Sequence, residues 1–229
     1  MASSPFGGIK AVAFDLDGTL IDTLPDLAAA GNRMLQVMGH AAASEAEVRS
    51  FIGDGIAVLT RRLLAGHMHK EPGAEEFARA LELFKAYYAE ELVVRSQPYP
   101  GVVKGLAALY PHFSLACVTN KALAYTHPLL AGTQLASYFQ LVLGGDSLPR
   151  KKPEPEPFLH CAVHFGVQPW QLLVVGDSPN DCRAARAAGC PVVCVPYGYS
   201  GAGGVPALDC DAIVTDVFEL AATLLNTKS

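Results

Sequence analysis

Residues 9–20 read IKAVAFDLDGTL, and this stretch decides the fold. Its first half, residues 9–14, is an apolar run with no polar alternation after Lys10. A run that is apolar on both sides suits a strand buried on both faces of a parallel sheet. The run stops at Asp15-Leu16-Asp17-Gly18-Thr19. In an extended chain, residues two apart point to the same side. Asp15 and Asp17 are therefore expected to project together beyond the carboxyl end of a central strand, where open α/β sheets bind ligands. Two adjacent carboxylates repel unless a cation intervenes, and an all-oxygen pair invites Mg²⁺. Gly18 and Thr19 allow a tight turn and are expected to leave amides free for an anion. One aspartate at a strand end commonly caps a turn. The whole Asp-x-Asp-Gly-Thr pattern directly after an apolar strand points instead to a site.

Further along, two textures alternate. Short apolar runs at residues 113–118, 141–143, 172–175, 192–195 and 212–214 read as strands. Helical patterns lie between and after them at 102–110, 122–131, 156–165, 179–188 and 217–225. This alternation with short links predicts an α/β, Rossmann-like, doubly wound parallel sheet. One region departs from it. Between the first strand and Pro98 no convincing strand is found. Helical segments occupy 26–38, 44–51, 56–65 and 74–94, punctuated by Gly39-His40, Gly53-Asp54-Gly55 and Pro72-Gly73. Ser44 and Glu47 have the spacing of a capping box. The expected organisation is a core of residues 1–22 and 97–229, with a helical cap domain of residues 23–96 inserted after the first strand.

Composition sets the outer bounds. The chain has 229 residues, 51% of them hydrophobic and 17% charged, which excludes a disordered polymer. A formal net charge of −5 gives no electrostatic footprint for nucleic acid. No apolar run approaches the roughly 20 residues of a membrane span, and the first ten residues lack the pattern of a secretory signal. The six cysteines are scattered without a C-x-x-C pair, which reads as reduced, buried thiols in a cytoplasmic protein.

Three more segments fall at predicted strand ends. Thr119-Asn120-Lys121 places a hydroxyl and the start of a helix where a phosphate oxygen could sit. Arg150-Lys151-Lys152-Pro153-Glu154-Pro155 holds a lysine in a proline-stiffened turn. Gly176-Asp177-Ser178-Pro179-Asn180-Asp181 joins a strand to a helix, with Asp181 about one turn beyond Asp177. Its spacing suits a second acidic pair holding a metal. These four segments, in this order, resemble the haloacid dehalogenase superfamily over nearly the whole chain. Residues 14–30 (FDLDGTLIDTLPDLAAA), 51–64 (FIGDGIAVLTRRLL), 144–157 (GGDSLPRKKPEPEP), 175–189 (VGDSPNDCRAARAAG) and 196–199 (PYGY) are closer to its phosphoglycolate phosphatase branch. The sequence departs from that branch at Ala122, where relatives often carry proline, and at Gly132-Thr133-Gln134.

The resemblance implies an enzyme, a phosphoric monoester hydrolase, with these roles. Asp15 is the nucleophile that forms an aspartyl-phosphate, and Asp17 is the acid and base. Thr119 holds a phosphoryl oxygen, and Lys152, not Lys151, offsets the charge. Asp15, Asp17 through its backbone carbonyl, Asp177 and Asp181 form the Mg²⁺ site. Gly18, Thr19 and Asn120 are candidates for substrate contacts. An acid at position 17 argues for a phosphatase or phosphomutase, since a leaving halide needs no proton. The cap is expected to choose the substrate, and Arg61 and Arg62 could meet a carboxylate bidentately. The implied reaction is hydrolysis of 2-phosphoglycolate to glycolate and phosphate. Alternatives are a sugar-phosphate or pyrophosphate hydrolase, a β-phosphoglucomutase-like mutase, and a non-catalytic binding protein on the same fold. The expected partner is a small phosphorylated metabolite, with no nucleic acid and no membrane, for a monomer or homodimer. His160 and His164 have i, i+4 spacing without a third ligand, and the Tyr87-Tyr88 pair reads as packing.

Overall fold

A computed structural model describes residues 6–69, 71–200 and 203–226. The first strand, β1 (Ala11–Phe14), has no exposed residue. A two-residue strand, β2 (Ile21–Asp22), follows the Asp-Gly-Thr turn, and four helices come next: α1 (Leu24–Val37), α2 (Glu45–Phe51), α3 (Ile56–Ala65) and α4 (Ala74–Glu91). The chain returns through β3 (Gln97–Pro98), which pairs antiparallel with β2. It continues through α5 (Val102–Leu109), β4 (Ser114–Val118), α6 (Leu123–Gly132), β5 (Leu141–Leu143), α7 (Glu156–Phe165), β6 (Leu172–Gly176), α8 (Pro179–Ala188), β7 (Val192–Cys194), β8 (Ala212–Ile213) and α9 (Val217–Asn226).

Six strands form one parallel sheet in the order β5-β4-β1-β6-β7-β8. The order reverses beside β1, which lies between β4 and β6, so the crevice expected of a doubly wound sheet opens at the carboxyl ends of these three strands. The side-chain alternation of β1 explains its two layers. Val12 and Phe14 face a cluster with Leu106, Leu109, Leu220 and Leu224 of α5 and α9. Ala11 and Ala13 face the other cluster, with Phe158, Cys161 and Ala185 of α7 and α8, and their small size lets that layer pack close. Gly105 serves the same end between α5 and α9, because a Cβ there would lie 2.5 Å from the Val217 backbone.

The four helices between β2 and β3 supply nearly all of a further hydrophobic cluster, with Met34, Leu35, Leu63, Phe84 and Tyr88 in it, joined by Tyr199 from the segment after β7. Ser44 caps α2: its hydroxyl accepts from the Glu47 amide, and Glu47 in return accepts from the Ser44 amide. Ser44→Ala is expected to cost about 1 kcal/mol, read as a lower urea midpoint at unchanged slope. An unchanged midpoint would show that the box is idle. The absence of any strand between β1 and Pro98 does not hold. The β2–β3 pair is too short to show a period, and it forms because the two passages of chain run side by side. All six cysteines are free, with the Cys182 and Cys194 sulfurs 3.4 Å apart. Among the described residues no helix is long and apolar enough to cross a membrane.

Candidate active site

Beyond Phe14 the chain turns sharply, and Gly18 makes the turn possible. Its φ is +89°, and a Cβ there would sit 2.5 Å from an Asp177 carboxylate oxygen. The turn uses its own amides. Gly18 donates to the Ile21 carbonyl (3.0 Å) and Thr19 to the Leu16 carbonyl (3.4 Å). The expectation that these amides stay free for an anion is therefore corrected, and neither residue lines the cavity. The Thr19 hydroxyl instead donates to Asp177 (2.8 Å), tying the first turn to the end of β6.

Asp15 and Asp17 both line the cavity, but different cations hold them. Asp15 pairs with the Lys152 ammonium at 2.6 Å. Asp17 accepts from the Thr23 hydroxyl (2.6 Å) and pairs with Lys121 (3.1 Å). Lys152 also donates to Asp181 (2.7 Å) and to the Val118 carbonyl (2.7 Å), so all three of its protons are engaged. Burial pulls that ammonium down, yet Asp15 and Asp181 more than offset the pull and leave it raised.

Asp15, Asp177 and Asp181 each offer an oxygen within 4.8 Å of the others, and all three are buried. An all-oxygen, acidic donor set of this kind suits a hard divalent cation. The electrostatics agree. Burial pushes Asp15 up to about 7, with Asp181 and Asp17 adding to it against Lys152. Burial likewise raises Asp177, with Asp15 and Asp181 adding to it. The cluster is thus short of positive charge. Within it Asp181 is the most committed, since its second oxygen takes the Ser178 hydroxyl at 2.6 Å while the first holds Lys152. The Asp17 side chain stands outside the three-carboxylate group.

Thr119 and Asn120 line the cavity at the end of β4. The Asn120 amide donates to the carbonyls of Gly53 and Lys152 (both 2.9 Å), so it ties the loop between α2 and α3 to the sheet. Asn180 holds the same loop through Gly53 (3.2 Å) and Asp54 (2.9 Å), and Lys151 through the Asp54 carbonyl (2.6 Å). Ile52, Gly53, Gly55, Ile56 and Leu59 then form a roof, with Leu27, Tyr88 and Tyr125 beside it.

Arg61 and Arg62 are not brought to this cavity. Arg61 pairs with Glu71 (3.0 Å) and lies over the Phe77 ring. Arg62 pairs with Asp54 (2.6 Å) and donates to the Phe51 carbonyl (2.8 Å). Helix α3 turns its apolar positions Ile56 and Leu59 to the cavity, which leaves its arginines on other faces. His160 and His164 are exposed on α7. Among the cavity residues to which the reading of the sequence assigned no part in the site are Lys121 and Tyr88, whose hydroxyl accepts from the Lys121 ammonium at 2.7 Å. Lys121 stands in the quoted Thr119-Asn120-Lys121 run, two residues past Thr119, and that spacing was the available signal.

The family of haloacid dehalogenase-like hydrolases matches residues 12–195 of the chain. A phosphoglycolate phosphatase of Nitrosospira multiformis is 51% identical over 96% of this chain and 97% of its own length. One from Thiobacillus denitrificans is 48% identical over the same shares. A crystal structure of a predicted phosphoglycolate phosphatase from Haemophilus somnus superposes with a TM-score of 0.89 at 38% identity, covering 97% of this chain and 99% of that one. The strand-end acids, the parallel sheet around β1 and these matches agree, and the chain belongs to the haloacid dehalogenase-like hydrolases.

Proposed function

We propose that this hydrolase is a Mg²⁺-dependent phosphatase that converts 2-phosphoglycolate to glycolate and phosphate. The observation that carries the reaction type is one cavity holding two differently paired acids, Asp15 on Lys152 and Asp17 on Lys121. The substrate is supported by the relatives named phosphoglycolate phosphatase at about half identity over nearly their whole length.

Phosphoryl transfer asks mainly for positioning and charge neutralisation. Asp15 and Asp177 would hold the metal ion with the Asp17 carbonyl, and Asp181 would stand beside them. When bound, the ion supplies positive charge that lets a carboxylate and a phosphate meet. In the first step an Asp15 oxygen bonds to phosphorus, the ester P–O bond breaks, and Asp17 gives its proton to the departing alkoxide. Lys152 offsets the charge on Asp15 and the phosphoryl group, kept in place by Asp181. The Thr119 hydroxyl holds a phosphoryl oxygen. In the second step Asp17 takes a proton from water, which displaces Asp15 from phosphorus and restores the free acid.

The two-part organisation of core (1–22, 97–229) and cap (23–96) belongs to this reading. The β2–β3 pair where the chain leaves and re-enters supports it, as does the cluster that the four helices mainly supply. The cap's loop over the cavity shields the reacting phosphate from bulk water. A panel of phosphate esters at fixed Mg²⁺, assayed for free phosphate, tests the proposal. The expected result is a marked preference for phosphoglycolate. Isomerised product without phosphate release, or no preference, would overturn it. Excess chelator is expected to abolish turnover and added Mg²⁺ to restore it, and full turnover in chelator would remove the metal from the mechanism.

A further inference from the structure

Lys121 is a buried cation that the two-step mechanism above does not use. It is 7% exposed and lines the cavity. The cavity wall, among the described residues, carries one other cation, Lys152, whose three protons are already engaged. Lys121 spends one proton on Asp17 (3.1 Å) and one on the Tyr88 hydroxyl (2.7 Å). An ammonium has three, so one remains. Tyr88 comes from α4, is 1% exposed and accepts from Lys121, which leaves its own O–H to donate. Burial pushes its phenol up to about 12, so that proton stays in place at neutral pH.

Two donors side by side, one of them charged, make a receptor for a carboxylate. Their position says which carboxylate. The ester oxygen of the substrate must reach Asp17 to receive its proton. In a phosphorylated 2-hydroxy acid the carboxylate carbon stands two bonds from that oxygen, about 2.5 Å away. An ester with its oxygen at Asp17 therefore has Lys121, 3.1 Å from the same acid, within reach of its carboxylate. The rest of the wall offers apolar Leu27, Ile56 and Leu59 and the Tyr125 ring, with no further cation among the described residues for a more distant anion.

We propose that Lys121 and Tyr88 form an anion subsite that takes the carboxylate of the leaving group, so the enzyme selects phosphate esters of short 2-hydroxy acids. This rests on the phosphatase reading above. The subsite joins a residue of the turn after β4 to a helix of the inserted segment, so the carboxylate also binds the two parts together.

The test compares phosphoglycolate with ethyl phosphate, which has the same chain length and no carboxylate. Wild type, Lys121→Met and Tyr88→Phe are assayed on both esters at fixed Mg²⁺, and the ratio of the two kcat/KM values is read. A general folding or positioning defect lowers both values and leaves the ratio in place. Lys121→Met is expected to lower the ratio by about 10²-fold, mostly through KM, since it removes a buried charge partner. Tyr88→Phe keeps the ring and is expected to lower it by about 5-fold. A wild-type ratio retained in the variants overturns the subsite while leaving the substrate reading intact. If Lys121→Met is inactive on both esters, Tyr88→Phe decides in the same way. A wild-type ratio near one would instead sink the substrate reading, and the subsite with it.

Discussion

Asp15→Asn is expected to lower turnover by at least about 10⁴-fold, the scale on which removing a covalent nucleophile acts. The reason is local. The amide has no charge to offer phosphorus, and the Asp15 carboxylate is one of only three in the acidic cluster. The fold should survive, because Lys152 keeps Asp181 and the Val118 carbonyl as partners. Two measurements check this. Steady-state phosphate release reports the loss, and intact mass after acid quench reports the intermediate. Wild type mixed with phosphoglycolate should carry one added phosphoryl group, and Asp15→Asn none. Turnover within about tenfold of the parent would remove Asp15 as nucleophile. Asp177→Asn serves as the control. It should weaken metal binding and recover in part at high Mg²⁺, which the missing nucleophile cannot do.

The second large effect is expected at Asp17. An alkoxide is a poor leaving group, and a positioned acid contributes about 10²–10⁴-fold to its departure. Asp17→Asn keeps the shape and the backbone carbonyl, and its side-chain oxygen can still accept from Thr23 and Lys121, which now bond to Asp17 at 2.6 and 3.1 Å. It cannot carry the proton. Loss on phosphoglycolate should therefore be large, and the first step on an aryl phosphate, whose phenolate leaves readily, should suffer less. Attack of water on the aspartyl-phosphate should be slowed for both. Rapid quench with the aryl ester is then expected to show a burst of aryl alcohol and slow phosphate release from Asp15. Equal first-step losses on the two esters, with no phosphoenzyme, would reduce Asp17 to a turn cap.

Both expectations rest on residues that the sequence placed correctly at strand ends. Strand β1 was legible because a run apolar on both sides has few alternatives in a chain of this composition, and because Asp-x-Asp-Gly-Thr marks its end. The capping box of α2 was legible for the same local reason: Ser44 and Glu47 lie three residues apart, and no distant contact is needed to join them. The helical boundaries at 56–65, 156–165 and 179–188 coincide with α3, α7 and α8.

The partners of the side chains were another matter. The period-two argument put Asp15 and Asp17 on one side together, and both do face the cavity. It could not say that Lys152, 137 residues away, would hold one, and Lys121 the other. The arginines of α3 looked like anion ligands by residue type, but the helix rotates Ile56 and Leu59 to the cavity and sends Arg61 to Glu71 and Arg62 to Asp54. Tyr88 read as packing, which it is on its ring side, against Phe84 and Tyr125.

Local chemistry by itself thus determined the parallel α/β core, the run of helices after the first strand, and which strand ends carry acids, because periodicity and turn residues act over a few positions of chain. Tertiary structure alone decided that Lys121 faces Asp17, which residues roof the cavity, and that Lys121 meets Tyr88 there. Those pairings are set by how α4 and the loop between α2 and α3 pack over the ends of β1 and β4, and a buried charge takes the partner that packing brings within reach.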